Sequence, residues 1–141
     1  MSYDILAFEP SAVTDSDFDE WWEQQAEWSE DHSYDDVAVS TPALAAFYAA
    51  IIKAFPPLNG PDAPPDAAIE SDDQLEERLT DYSVGETVIY AAFAWSQAAA
   101  ARATFLDLAS EHGVAVALVS DDSKIIRPKP VRKRRWPFGG K

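Results

Sequence analysis

Short apolar runs alternate with polar stretches along this chain, and the spacing inside each run predicts an element. "YDILAF" (3–8) is apolar, short and poorly alternating, the pattern of a buried strand, and Pro10 closes it. Thr14, Asp15, Ser16 and Asp17 then supply an N-cap and an acidic first turn. Phe18, Trp21, Trp22, Ala26 and Trp28 recur at helical spacing, so a helix is expected that fades near Glu30. "STPALAAFYAAIIKAFPP" is the clearest helix: Thr41 is a natural N-cap, Pro42 suits the first turn, and Leu44, Phe47, Tyr48, Ile51, Ile52 and Phe55 share one face before Pro56 and Pro57 end it. "LNGPDAPPDAAIESDD" reads as a long loop with room for a helical turn before Leu79. "LTDYS", "VGE" and "TVIYAAFAW" read as a hairpin with Gly85 in its turn. Ser96 is placed to cap a helix over 97–112 whose core face holds Phe105, Leu106 and Ala109, and Gly113 stops it. "VAVALVS" is a further strand, and "DDSK" can turn the chain into a short last one, "IIRP".

The order β-α-(α)-β-β-α-β predicts an α+β fold of ferredoxin-like plan: a four-stranded antiparallel sheet, order 4-1-3-2, with its helices on one face. Residues 1–123 make one acidic domain. Residues 124–141 make a basic tail with little to bury, read as disordered, of which 124–127 can add a short strand. A chain of 141 residues suffices for a core without staples, and the absence of cysteine removes disulfides, thiolate nucleophiles and zinc–cysteine sites. "MSYDILAFEP" lacks the basic start of a signal peptide, and no run reaches the ~18 apolar residues of a membrane helix, so a cytoplasmic location is expected.

Charge sharpens this picture. All 25 acids lie at or before Asp122, where only Lys53, Arg78 and Arg102 oppose them, giving −22, while the eight remaining Lys and Arg residues lie from Lys124 onward. Such a body repels nucleic acid and anionic membrane and attracts a basic partner; the tail alone would do the opposite.

Chemistry has few footholds. His112, at the expected end of a helix, suits the dipole there better than catalysis. His32 lies among Asp31, Asp35 and Asp36 in "WSEDHSYDD" (28–36), a set that could hold a divalent metal, yet an acidic body puts four acids in one loop by composition alone and the spacing fits no EF-hand. Nucleophile-elbow, P-loop and dinucleotide motifs are absent from the sequence, and Ser96 lacks the flanking glycines of an elbow. No catalytic residue, cofactor or metal is therefore assigned, and the protein is not expected to be an enzyme. Trp22, Trp28 and Tyr34 read first as packing. The sharper reading makes them interface anchors, since Trp and Tyr dominate binding hot spots, among acids that steer a basic partner.

"MSYDILAFEP", "WSEDHSYDD" followed by "TPALAAFYAAIIKAFPPLNGP", and "LTDYSVGETVIYAAFAWSQA" with "EHGVAVALVS" resemble a family of small bacterial cytosolic proteins, some of which look like the immunity partners of polymorphic toxins of the Rhs and contact-dependent kinds. The resemblance covers about residues 1–120, and the basic tail departs from it. It implies an antitoxin that binds a cognate toxin and needs no chemistry of its own. The residues expected to carry the contact are Trp22, Glu27, Trp28, Asp31, His32, Tyr34, Asp35 and Asp36, with Asp81 and Tyr82 of the hairpin as a second patch. Two other classes stay open: a nucleic-acid or anionic-membrane adaptor working through the tail, and a small metal-dependent enzyme using His32.

Overall fold

The structure is a computed structural model that describes residues 2–30, 34, 36–58, 60–122 and 124–128. Five strands form one antiparallel sheet: β1 (Ser2–Phe8), β2 (Asp81–Val84), β3 (Val88–Ala94), β4 (Ala115–Leu118) and β5 (Lys124–Ile126), in the order β2-β3-β1-β4-β5. The chain is thus α+β and antiparallel as expected, with five strands rather than four in its sheet: the short strand that 124–127 can add is present as Lys124–Ile126, paired with β4.

Helices α2 (Pro42–Ala54) and α5 (Ala98–His112) lie on one face of the sheet. Leu44, Phe47 and Ile51 of α2 meet Ala101, Phe105 and Ala109 of α5 over Tyr3, Ile5 and Ala7 of β1 and Ile89, Ala91 and Phe93 of β3. The Thr41 hydroxyl accepts the Leu44 N–H (3.4 Å) and donates to the Glu9 carboxylate (2.6 Å), which ties the start of α2 to the end of β1. Gly113 ends α5 at φ 73°, a left-handed position that glycine takes without steric cost.

Helix α1 (Phe18–Gln25) lies on the opposite face. Phe18 and Trp21 pack on Phe8, with ring centroids 5.4 and 5.5 Å apart, over Leu6, Val88, Ala115 and Ala117. This corrects the expectation of a single helical layer. The cause is β1 itself: Ile5, Leu6, Ala7 and Phe8 are each 0% exposed, so consecutive side chains, which point to opposite faces, are both covered. α1 also ends earlier than expected, at Gln25. The long loop carries two short helices, α3 (Asp66–Glu70) and α4 (Asp73–Arg78), the latter capped by Asp72, whose carboxylate accepts the Gln74 and Leu75 N–H groups. Ser96 is not a cap: Trp95–Gln97 form a 3₁₀ turn into α5, and the Ser96 hydroxyl points to Glu77 (3.5 Å). Among the described residues no helix is long and apolar enough to cross a membrane.

The end of β5 is fastened by Arg127, which the sequence assigns to the tail. Its guanidinium donates to the Asp15 carboxylate (2.7 Å) and to the carbonyls of Pro10 (2.7 Å) and Val13 (2.6 Å), and sits 5.6 Å from the Phe8 ring centre. Residues 124–128 thus pack with the acidic body, and the rest of the expected tail, 129–141, lies outside the described residues.

Candidate functional site: an aromatic patch on the second sheet face

On β3, Ile89, Ala91 and Phe93 point into the α2–α5 core, so Val88, Tyr90, Ala92 and Ala94 point to the other face. The same alternation puts Asp81 and Ser83 of β2 on that second face, opposite Ala92 and Tyr90. Asp4 of β1 pairs with Ala92 from the other side, so one row across three strands reads Asp4, Ala92, Asp81.

Tyr90 is the hub. Trp22 of α1 stacks on it at 5.5 Å and 21° between planes; Trp28 meets it edge-on at 6.1 Å, and Tyr34 meets Trp28 at 5.3 Å. Trp22, Trp28, Tyr34 and Tyr90 are all half-buried. The Tyr90 hydroxyl donates a short hydrogen bond to Asp4, whose other carboxylate oxygen accepts from the Ser2 hydroxyl (2.6 Å). Burial first, then the hydrogen bond to Asp4 and that carboxylate's charge, push the Tyr90 hydroxyl well above its ordinary pKa, so it is a fixed donor at neutral pH.

Trp28 adopts φ 50°, the left-handed region that side chains with a Cβ avoid. Its N–H donates to the Gln25 carbonyl (3.0 Å), so it stands just past the end of α1, where glycine is the common residue. Keeping a tryptophan there costs about 1–2 kcal/mol of backbone energy, and its ring contacts with Trp22, Tyr34 and Tyr90 offset that cost.

Trp28 packs with the second-face cluster and Val37 with the α2–α5 core, and described residues between them bond to the β2–β3 hairpin. The Tyr34 carbonyl accepts the Val84 N–H (2.8 Å), and the Glu30 carboxylate accepts the Glu86 N–H (3.1 Å) in the turn. A Cβ at Gly85 would come within 3.2 Å of Glu30 Oε2 and 3.1 Å of Val88 Cγ2, so any larger residue there makes these side chains give by a few tenths of an ångström. The Glu30 N–H also donates to the Tyr34 hydroxyl (2.6 Å).

Of the residues expected to carry the contact, the structure brings Trp22, Trp28 and Tyr34 into one patch with Asp81 on the same sheet face; Glu27, next to Trp28, is exposed. Asp36 is exposed and caps the turn Val37–Val39 by accepting the Ala38 N–H (2.9 Å). Asp31, His32 and Asp35 lie outside the described residues. Tyr82 is a correction. It is 8% exposed, on the core face, and its hydroxyl donates to the Phe55 carbonyl (2.7 Å), because its neighbour Asp81 takes the other face of the strand. Sequence reasoning missed Tyr90 and Asp4. The signal was Tyr90's parity with Val88 in β3, a large polar-tipped ring among alanines.

Among the described residues no group of three His, Cys, Asp or Glu is placed to hold a metal ion. His112 stands at the last position of α5, half-buried. Comparisons with family models, with curated proteins and with solved structures find no match, so the patch has to be understood from its own chemistry.

Proposed function

We propose that this protein is an immunity protein of the bacterial cytoplasm that binds a basic partner, a cognate toxin domain, and covers its active site with the aromatic patch of the second sheet face. The observation that carries this reading is the half-buried cluster Trp22–Trp28–Tyr34–Tyr90, with Glu27 and Asp81 exposed beside it. Amphipathic rings held rigidly at a surface are interface anchors, and the surrounding carboxylates raise the on-rate of a cationic partner. Trp28 in a glycine-like position supports the same reading, since strain at a surface residue points to a role for its ring. The reading asks for no catalytic residue, metal or cofactor. A tail that binds nucleic acid or anionic membrane, or a metal enzyme built on His32, is the alternative; both rest on residues outside the described set.

The test takes the product of the adjacent gene as the candidate toxin and measures its activity while the full-length protein is titrated in. Complete inhibition at one-to-one stoichiometry is expected. Glu27→Lys with Asp81→Lys reverses two exposed charges that make no described hydrogen bond, and should weaken binding at least about tenfold, mostly through the association rate. Undiminished toxin activity at saturating protein, or an affinity unchanged in the double variant, would reject this surface.

We infer likewise that the sheet is a ferredoxin-like β-α-β-β-α-β core extended by β5; the order β4-β1-β3-β2 within the five strands supports it.

A further inference from the structure

Beyond the aromatic patch, on the other flank of α1, lies an open cleft of about 700 Å³ between the segment 10–17 and the helix. Trp21 contributes a ring to its wall, Asp17 and Glu20 its exposed carboxylates, and Gln24 an amide; Asp15 and Arg127 close one side. Arg127 does not neutralise this cleft, because its donors are already directed at Asp15 and at the carbonyls of Pro10 and Val13. Among the described residues neither Asp17 nor Glu20 forms an ion pair, and the one described partner of the Asp17 carboxylate is the Thr14 hydroxyl (3.2 Å). The cleft is therefore an anionic hollow with an aromatic wall.

The chain itself supplies the complementary chemistry at the rim. Arg127 lines the cleft and Pro128 follows it, so residues 129–141 start where the cleft opens. Those 13 residues, "KPVRKRRWPFGGK", hold six cations and no acid, with Arg132, Lys133, Arg134 and Arg135 in one run. Fully extended they reach about 45 Å, more than enough to return along the cleft. A tether this short presents its cations at an effective concentration on the order of millimolar, ahead of any free basic peptide. Arginine over a tryptophan face next to carboxylates is favourable both as an ion pair and as a cation–π contact.

We propose that this cleft is the docking site of the chain's own basic segment, residues 129–141, with the run Arg132–Arg135 meeting Asp17 and Glu20 against Trp21. The contact shields part of the acidic surface and withholds the basic run from nucleic acid and anionic lipid. It stands apart from the partner reading, since none of its residues belongs to the aromatic patch.

The chain has no cysteine, so Gly140→Cys places one nitroxide label on the full-length protein. Amide signals of residues 10–24 are expected to lose intensity at low salt, and to regain it at about 1 M salt, where the screening length falls to about 3 Å. The same recovery is expected in Asp17→Lys with Glu20→Lys, and in a chain with Arg132, Lys133, Arg134 and Arg135 all changed to Glu. Unshifted amides of α2 and α5 certify the fold of each variant; should the cleft variant fail to fold, the segment variant carries the same test. Signals of 10–24 that never lose intensity, or a loss spread over the surface and indifferent to either charge reversal, would overturn the proposal. So would an equal loss when isotope and nitroxide sit on separate chains, which would assign the cleft to a second copy's segment.

Discussion

The face of the sheet beneath α2 and α5 is closed by buried rings packed on one another: Phe93 lies 5.2 Å from Phe55 and 6.1 Å from Phe105, and Phe47 lies 4.8 Å from Phe105. The opposite face also carries rings, but Trp21, Trp22, Trp28 and Tyr90 each keep part of their surface in water. Helix length accounts for the difference. A five-stranded sheet is roughly 20–24 Å wide. α2 and α5, of 13 and 15 residues, run about 20 Å or more side by side, whereas the 8 residues of α1 make about 12 Å of helix. One short helix packs over β1, β4 and β3 and leaves the edge strand β2 open, with Asp81 exposed. The first face holds the fold together, and the second has surface to spare.

This contrast can be broken most forcefully from the closed side. Phe93→Ala should cost about 3–5 kcal/mol, because it empties a fully buried site that neighbouring rings cannot collapse into; urea denaturation reads this directly. On the open side Trp22→Ala should cost only about 1–2 kcal/mol in the same assay, since the ring is half in water already. Equal losses at the two positions would abolish the distinction between the faces.

A finer comparison comes from alkaline pH. Burial first, then the hydrogen bond to Asp121 (2.7 Å) and its charge, push the Tyr3 hydroxyl from 10 up to about 12, and burial raises Tyr82 further still. In each case the folded state holds its proton more tightly than the unfolded chain. Their contribution is fully present below pH 10 and is lost above it, for Tyr3 as pH rises through 12 and for Tyr82 at still higher pH, because the unfolded chain releases the proton first. Stability measured against pH should be level through neutral pH as far as these tyrosines are concerned and fall above 10. Tyr3→Phe should soften that fall; an unchanged alkaline slope would mean that Tyr3 ionises as freely folded as unfolded.

How much of this could be read from the sequence depended on whether the signal was local. Thr41, Pro42 and the apolar positions of α2 are within one helix, and the element appears where they place it. The hairpin and the stop at Gly113 were legible for the same reason. The side on which α1 packs was not, because it depends on the chain's path after Phe8. The uninterrupted run from Ile5 to Phe8 already called for cover on both faces, and that clue outranks any pattern inside α1. Tyr82 was misplaced by one residue of strand parity. Arg127 looks like one more tail cation until its carbonyl partners, 114 and 117 positions earlier, are brought beside it. In the site, the acids and tryptophans were legible as types, while the hub Tyr90 and its Asp4 partner arise only from pairing β1 with β3.

The position of β1 in the sheet sets a schedule for biosynthesis. Of the five strands it is the first to leave the ribosome and the middle one of the finished sheet, with β3 and β4 as its neighbours. From Phe8 to the end of β4 at Leu118, some 110 residues must be added, roughly 5–20 seconds at ordinary rates of translation. Until β3 is made Ile5, Leu6 and Phe8 have neither edge of their strand paired, and until β4 is made one edge stays open. The strand made first is thus the one whose hydrogen bonding is completed last, when β4 arrives.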